Sequence, residues 1–173
     1  LTRAMELKEA GGIEKIVVAN VGTKATEPTL RKALAVGADE AIRIDAEAKD
    51  AYFVAKQLAE IAGDFDIILA GIEASDYNGS AVGGMLAEII NFNSVSAVSG
   101  INLENGELIV KREIDGGVQV LSIGTPVVCI VQKGIAKEPR IPAMRGIMMA
   151  RKKPLNVVEP TSADERTSFE SFE

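Results

Sequence analysis

The sequence predicts an α/β fold, a parallel sheet carrying helices and joined to an antiparallel hairpin excursion, on three observations. Apolar runs of strand length alternate with helical periodicity from Ile16 to Ile90. Hydrophobic residues make up 47% of the chain but aromatics only 4%, with no Trp. The core is therefore Ala, Val, Ile and Leu, which suits helices packed on a buried sheet better than a β-sandwich. Beyond Asn93, short strand-like runs are separated by Glu104-Asn105-Gly106 and Asp115-Gly116-Gly117, and both spacers are hairpin signals.

The elements follow in order. Leu1 to Glu9 reads as a helix closed by Gly11-Gly12. Residues 16–21 read as a strand ending at Gly22. A helix then opens at Thr26-Glu27-Pro28, with Thr26 as cap and Pro28 in the first turn, and stops at Gly37. A short strand at 40–44 precedes a helix from about Asp50 to Gly63 with Val54, Leu58 and Ile61 on its apolar side. A strand at 67–70, a polar loop and a helix over about 81–90 complete the repeating pattern, which implies right-handed βαβ units. Runs at 94–103, 108–114 and 118–123 form the antiparallel part, and 125–132 is a further buried strand. A helix over 147–153 follows a loop carrying Met144. From Glu159 the chain is polar and aperiodic, so it is either disordered or an arm that orders on a partner.

Composition narrows the chemistry. The 173 residues suit one domain with its own core. A net charge of −6 without a broad basic face argues against nucleic acid as the main partner. The single Cys129 lies in an apolar strand-like run and reads as an inert core thiol. There is no His, so a Ser–His–Asp triad, His-ligated zinc and imidazole acid–base chemistry are all absent. No run approaches the ~20 apolar residues of a membrane span. No signal or transit peptide is visible, and a cytoplasmic location is expected. The helical pattern at Leu1 has no N-cap before it, which suggests a chain entered in mid-helix.

The most informative stretch runs from Asp66 to Met85. An apolar run ends in Gly71, a polar loop with Tyr77-Asn78-Gly79-Ser80 follows, and small residues open the next helix. Strand, loop and helix in that order aim unpaired N–H groups and a positive dipole end at an anion. Such loops at the carboxyl ends of parallel strands are where open α/β sheets hold nucleotides. No Gly-Lys-Ser/Thr follows and the GxGxxG spacing is lacking, so this is neither a Walker loop nor a dinucleotide fingerprint. An ordinary tight βα turn is the competing reading. The loop is longer and more polar than that reading requires. A second feature is the stretch from Lys137 to Pro154, with three prolines, three Met and basic residues at both ends. Met144 lies between Pro142 and Gly146, where a polarizable side chain suits contact with variable partners.

Four segments, in order, resemble the β subunit of electron transfer flavoproteins. They are Thr29-Leu30-Arg31-Lys32-Ala33-Leu34-Ala35-Val36-Gly37-Ala38-Asp39, the loop from Gly71 to Ala87, Arg112-Glu113-Ile114-Asp115-Gly116-Gly117, and Arg140-Ile141-Pro142 through Ala150-Arg151-Lys152-Lys153-Pro154. The resemblance implies a Rossmann-like parallel sheet of the adenine nucleotide α-hydrolase type, whose first strand unit would lie ahead of Leu1. It divides the chain into an α/β nucleotide-binding domain (1–135), a partner-recognition loop and helix (136–155), and a C-terminal tail or subunit-embracing arm (156–173). It implies a heterodimer with a larger α subunit, FAD shared with that subunit, and a structural AMP in this one. Electrons would pass from acyl-CoA-type dehydrogenases to a membrane quinone reductase, with the bound FAD carrying the redox change and no catalytic residue in this chain.

Carried over by position, the cofactor pocket comprises Val21, Gly71, Glu73, Asp76, Tyr77, Asn78, Gly79, Ser80, Ala81, Val82, Gly83 and Gly84. Partner contacts fall on Met144, at the family's anchor position, with Arg140 and Ile141. One departure matters: where the AMP-binding loop of the family reads Gln-Thr-Gly, this chain reads Ala81-Val82-Gly83-Gly84. The missing hydroxyl removes a phosphate ligand, so a second FAD in place of AMP, as in electron-bifurcating members, is the alternative. A nucleotide-binding universal-stress-type protein is a further alternative, in which the Met144 loop would have no purpose. An adenylating or hydrolysing enzyme of the same superfamily is disfavoured by the lack of His and of a Ser-Gly-Gly-type loop.

Overall fold

The computed structural model describes residues 1–74, 78–104, 106–136, 138–168 and 170. Helix α1 (Thr2–Glu9) leads to strand β1 (Val17–Val21), a 3-10 turn (Lys24–Thr26), α2 (Glu27–Val36) and β2 (Glu40–Ile44). Then come α3 (Ala51–Ala62), β3 (Ile67–Gly71) and α4 (Val82–Ile89). Strands β4 (Asn93–Glu104), β5 (Glu107–Ile114), β6 (Gly117–Ile123) and β7 (Val127–Val131) precede α5 (Met144–Ala150) and β8 (Leu155–Val158).

The α/β class is as expected, but the sheet is divided. Among the described residues, β1, β2 and β8 form one parallel sheet, and β3, β7, β4, β5 and β6 form a second, mixed sheet. In the second, β7 inserts between β3 and β4 and runs parallel to both, while β4, β5 and β6 form the antiparallel meander that the Asn-Gly and Asp-Gly-Gly spacers predicted. The expected single sheet is thus two, facing each other across an apolar cleft.

Helices cover both faces of this arrangement. Leu30 and Leu34 of α2 pack with Ile16, Ala38 and Ala41 beneath α5's Ala150. On the other face, Ala55 and Ala62 of α3 meet Leu86 of α4. The alternation in β3 serves both, with Ile67 and Leu69 against the cluster holding Leu7 of α1 and Ile68 against the α3–α4 cluster. Cys129 is fully buried in β7, and burial pushes its thiol up to about 11, so it stays protonated and inert.

Three local details differ from the sequence reading. Thr26 stands at the N-cap position of α2 but makes no side-chain cap bond; it closes the 3-10 turn, and its hydroxyl donates to the Thr23 carbonyl. Met144 is not in a loop but begins α5. The division at 156 cuts through β8, which pairs in parallel with β2 from Ala41↔Leu155 to Ile44↔Val158. That strand has only four residues at a sheet edge with mostly exposed side chains, so it carries little apolar periodicity.

The stretch beyond β8 is held by its own chain. The buried Gln57 of α3 donates from Nε2 to the Thr161 carbonyl and accepts the Thr161 N–H at Oε1, both at 2.8 Å. Asp50 caps α3 through Phe53 N–H and also accepts the N–H groups of Arg166 (2.5 Å) and Thr167 (2.8 Å). The Arg166 guanidinium lies over the Tyr52 ring, 4.7 Å from its centre. Residues 161, 166 and 167 are thus bonded to α3 and its cap within the chain.

Candidate functional site

The turn after β3 gathers much of the predicted pocket. Gly71 ends the strand, paired with Val131, and Ile72 N–H continues to the Val131 carbonyl at 3.1 Å. The chain then crosses to α4, whose first regular bond runs from Met85 N–H to the Ala81 carbonyl at 3.0 Å. The N–H groups of Val82, Gly83 and Gly84 consequently have no acceptor within the helix. No side chain among the described residues caps them. These amides, with the dipole of an eight-residue helix behind them, suit a phosphate group.

Asn78 and Ser80 both adopt left-handed backbone, with φ of 26° and 47°. Ser80 donates its hydroxyl to Glu73 at 3.2 Å, closing the turn across its mouth. Asn78, Gly79, Ser80 and Glu73 are all exposed, and the predicted Asp76 and Tyr77 lie outside the described residues.

Two predicted site residues take different parts. Gly83 is buried, and a Cβ there would lie 2.9 Å from Ile130 Cγ1 and 3.2 Å from Ala70 Cβ. A side chain has no room there because α4 presses on β3 and β7. Gly84 is the opposite: a Cβ would meet nothing, leaving open space at the helix entrance. Val21 is buried among Ile44 and Phe53, so its side chain serves the core and only its backbone reaches the strand end.

The carboxyl end of β1 and β2 holds groups that sequence reasoning missed. Arg43 is buried in β2, with Nη1 donating to the Gly22 carbonyl at 2.8 Å and to Asp45 at 2.5 Å. Its Nε lies 3.3 Å from Glu27, so one cation ties the turn after β1 to the end of β2 and the start of α2. The Asp45 hydrogen bond raises the Arg43 pKa above its ordinary value, against the opposing effect of burial. Asn20 Oδ1 is buried with no hydrogen-bond partner among the described residues, beside Gly22. The signal for both was a polar residue inside an apolar strand run.

The second candidate region is α5. Ile141 is 87% exposed and Met144 75%, and Ile147, Met148 and Met149 are exposed beside them. This apolar surface stands on a fixed base. Arg31 of α2 donates from Nη1 to the carbonyls of Ala150 and Lys153, both at 2.8 Å, covering the end of α5. Lys153 reciprocates, donating from Nζ to Leu34 (3.1 Å) and Ala38 (2.6 Å) at the end of α2. Gly146 faces the Ala35 carbonyl so closely that a Cβ there would overlap it.

Arg140, predicted as a partner contact, is engaged within the chain. Its guanidinium makes a two-point pair with Glu9 (2.5 and 2.6 Å), and its N–H donates to Thr2 Oγ1 at 3.1 Å. The hydrogen bond from Arg140 holds the Glu9 carboxyl below its ordinary range. The loop before α5 is thereby tied to α1.

The model of the electron transfer flavoprotein domain matches residues 1–163. An electron transfer flavoprotein subunit β from Syntrophomonas wolfei is 37% identical over 98% of this chain and 68% of its own length. Proteins of the same name from Bacillus subtilis and Homo sapiens are each 32% identical, over 95% and 91% of this chain and 65% and 64% of their own lengths. The chain thus spans about two thirds of the length of these relatives. It belongs to the electron transfer flavoprotein family, among the β subunits.

Proposed function

We propose that this chain serves in the small subunit of a heterodimeric electron transfer flavoprotein and holds an adenine nucleotide at the turn between β3 and α4. The observation that carries the nucleotide reading is the start of α4 at the carboxyl end of a parallel strand, where the N–H groups of Val82, Gly83 and Gly84 have no acceptor among the described residues. The residues present fit a phosphate: backbone amides of Val82, Gly83 and Gly84, and open space at Gly84. The buried, unpartnered Asn20 Oδ1 offers an acceptor at the neighbouring strand end. In this reading the sheet is Rossmann-like, of the adenine nucleotide α-hydrolase type.

The redox FAD is shared with the α subunit and supplies the electron chemistry when bound. This chain binds, orients and shields. The apolar face of α5, with Met144 foremost, docks acyl-CoA-type dehydrogenases, and electrons pass onward to a membrane quinone reductase. Burying one such side chain contributes ~1.5–3 kcal/mol, enough for a transient encounter. Family membership favours this reading over the universal-stress-type alternative.

AMP is the nucleotide of choice. A second FAD is the rival, favoured by Val82 in place of a hydroxyl-bearing residue and by the room at Gly84. The deciding experiment is to purify the protein with its α subunit, denature it and quantify released nucleotides by chromatography. One FAD and one AMP per heterodimer is the expected result; two FAD and no AMP assigns the bifurcating type. A heterodimer with no second nucleotide overturns the pocket.

A further inference from the structure

Three of the chain's five methionines stand on one seven-residue helix, at Met144, Met148 and Met149 of α5. They are 75%, 66% and 55% exposed, whereas Met85 of α4 is 39% exposed. Met5 of α1 packs against the cluster of Leu30 and Leu34, with its thioether lying on Gly37. Met144 and Met148 are four residues apart, so they share one face of α5, and Met149 follows beside them. Ile141 and Ile147 complete an apolar surface that carries three thioether sulfurs within reach of solvent. We propose that Met144, Met148 and Met149 form a reversible oxidation site for hydrogen peroxide, and that sulfoxide formation there switches off α5 as a docking surface. The switch rests on the docking reading given above; the oxidation site does not.

The fold favours these three sulfurs over the others. Oxidation of a thioether needs only access of the oxidant to a sulfur lone pair, so it follows exposure. Oxidation of a thiol needs the thiolate, and Cys129 is fully buried in β7 and held protonated, so it does not compete for the oxidant. The position of α5, moreover, does not depend on its methionine side chains. Its hold on α2 comes from Arg31 and Lys153 donating to backbone carbonyls, from the close contact of Gly146 with Ala35, and from the buried Ala150. Oxidation therefore changes what α5 presents and leaves α5 where it stands.

The step balances without a further reactant. A thioether lone pair attacks one peroxide oxygen, and the S–O bond forms as the O–O bond breaks. The hydrogen of that oxygen passes to the other, which leaves as water. Sulfur loses two electrons and the peroxide gains them. The product replaces a flexible apolar side chain with a polar, chiral one, whose oxygen loses its hydration when pressed against an apolar partner. Each sulfoxide exists as two epimers, so full reversal needs both classes of methionine sulfoxide reductase.

The test treats the protein, purified with its α subunit, with dilute hydrogen peroxide and follows each methionine by peptide mass spectrometry. Electron transfer from an acyl-CoA-type dehydrogenase and far-ultraviolet circular dichroism are read on the same samples. Oxygen should enter Met144, Met148 and Met149 about tenfold or more faster than Met5, and ahead of Met85. Transfer should fall as they oxidise and return after treatment with both reductases, with the circular dichroism unchanged. Replacing all three together, Met144→Leu, Met148→Leu and Met149→Leu, keeps the apolar volume and should make transfer indifferent to peroxide. Equal oxidation of the five methionines, or Met5 or Met85 ahead of the three, overturns the site. An equal loss of transfer in the leucine variant, or a loss of helical signal on oxidation, overturns the switch. Met144→Ala separates the switch from the docking reading. If that variant transfers more slowly while peroxide leaves the unsubstituted protein's rate unchanged, only the switch is refuted. If neither changes the rate, the docking face falls and the switch with it, while the mass spectra still decide the oxidation site.

Discussion

The face of α5 and the turn between β3 and α4 are both candidate contact regions, and they are built on opposite principles. α5 is fastened: α2 and α5 each lend a cation to the other's terminal carbonyls, and Gly146 lets the two backbones touch. The outward side chains are left with no partner. The β3–α4 turn is the reverse, with Glu73 and residues 78–80 exposed and, among the described residues, no acceptor for the N–H groups of Val82, Gly83 and Gly84. A protein surface is offered by rigid presentation of side chains. An anion site is offered by backbone groups left unsatisfied, which local structure cannot supply without losing the site.

The comparison breaks most sharply at the base of α5. Leu34 is 1% exposed in the cluster that also holds Ala150, so Leu34→Ala is expected to cost ~2–5 kcal/mol in urea unfolding. Gly146→Ala forces a Cβ into the Ala35 carbonyl and should cost ~1–3 kcal/mol, with wild-type stability refuting the close contact. The two glycines of α4 sharpen it. Gly83→Ala overpacks against Ile130 and Ala70 and should cost ~1–3 kcal/mol, whereas Gly84→Ala, in open space, should stabilise by ~0.5–1 kcal/mol through helix propensity. A loss of stability for both would show that α4 sits differently.

Met144→Ala has the smallest effect on folding, within ~0.5 kcal/mol, because the side chain touches little. It should nevertheless lower the rate of electron transfer from dehydrogenases. An unchanged rate would remove Met144 from the docking face.

Much of this was legible in the sequence, and the exceptions have physical causes. The β3–turn–α4 order was readable because strand, polar loop and helix announce themselves by periodicity. The role of Gly83 was not, since a glycine near a helix start looks the same whether a phosphate or Ile130 is its neighbour. Arg140 looked free in the sequence because its partner, Glu9, is 131 residues away. The start of α5 was obscured by Pro142 just before it and by Gly146 within it. The four-residue β8 takes its pairing from β2 rather than from any pattern of its own. The division into two sheets is a fact of pairing between distant strands, which no local window contains.

Gln57 and Asp50 hold the same segment by unlike chemistry, and that gives the last segment of the chain a hinge. The Gln57 amide makes with Thr161 the paired exchange that one strand makes with its neighbour, a single uncharged rung indifferent to salt and pH. Asp50 works as an anion. The Phe53 N–H, then those of Arg166 and Thr167, hold its carboxyl below the ordinary 3.8 against the opposing effect of burial. Its contribution is whole above that value and vanishes as the pH falls through the depressed one. Acid should therefore free residues 166–167 while 161 stays attached, so the terminal segment swings about Gln57, and Gln57→Leu should convert that partial release into a complete one.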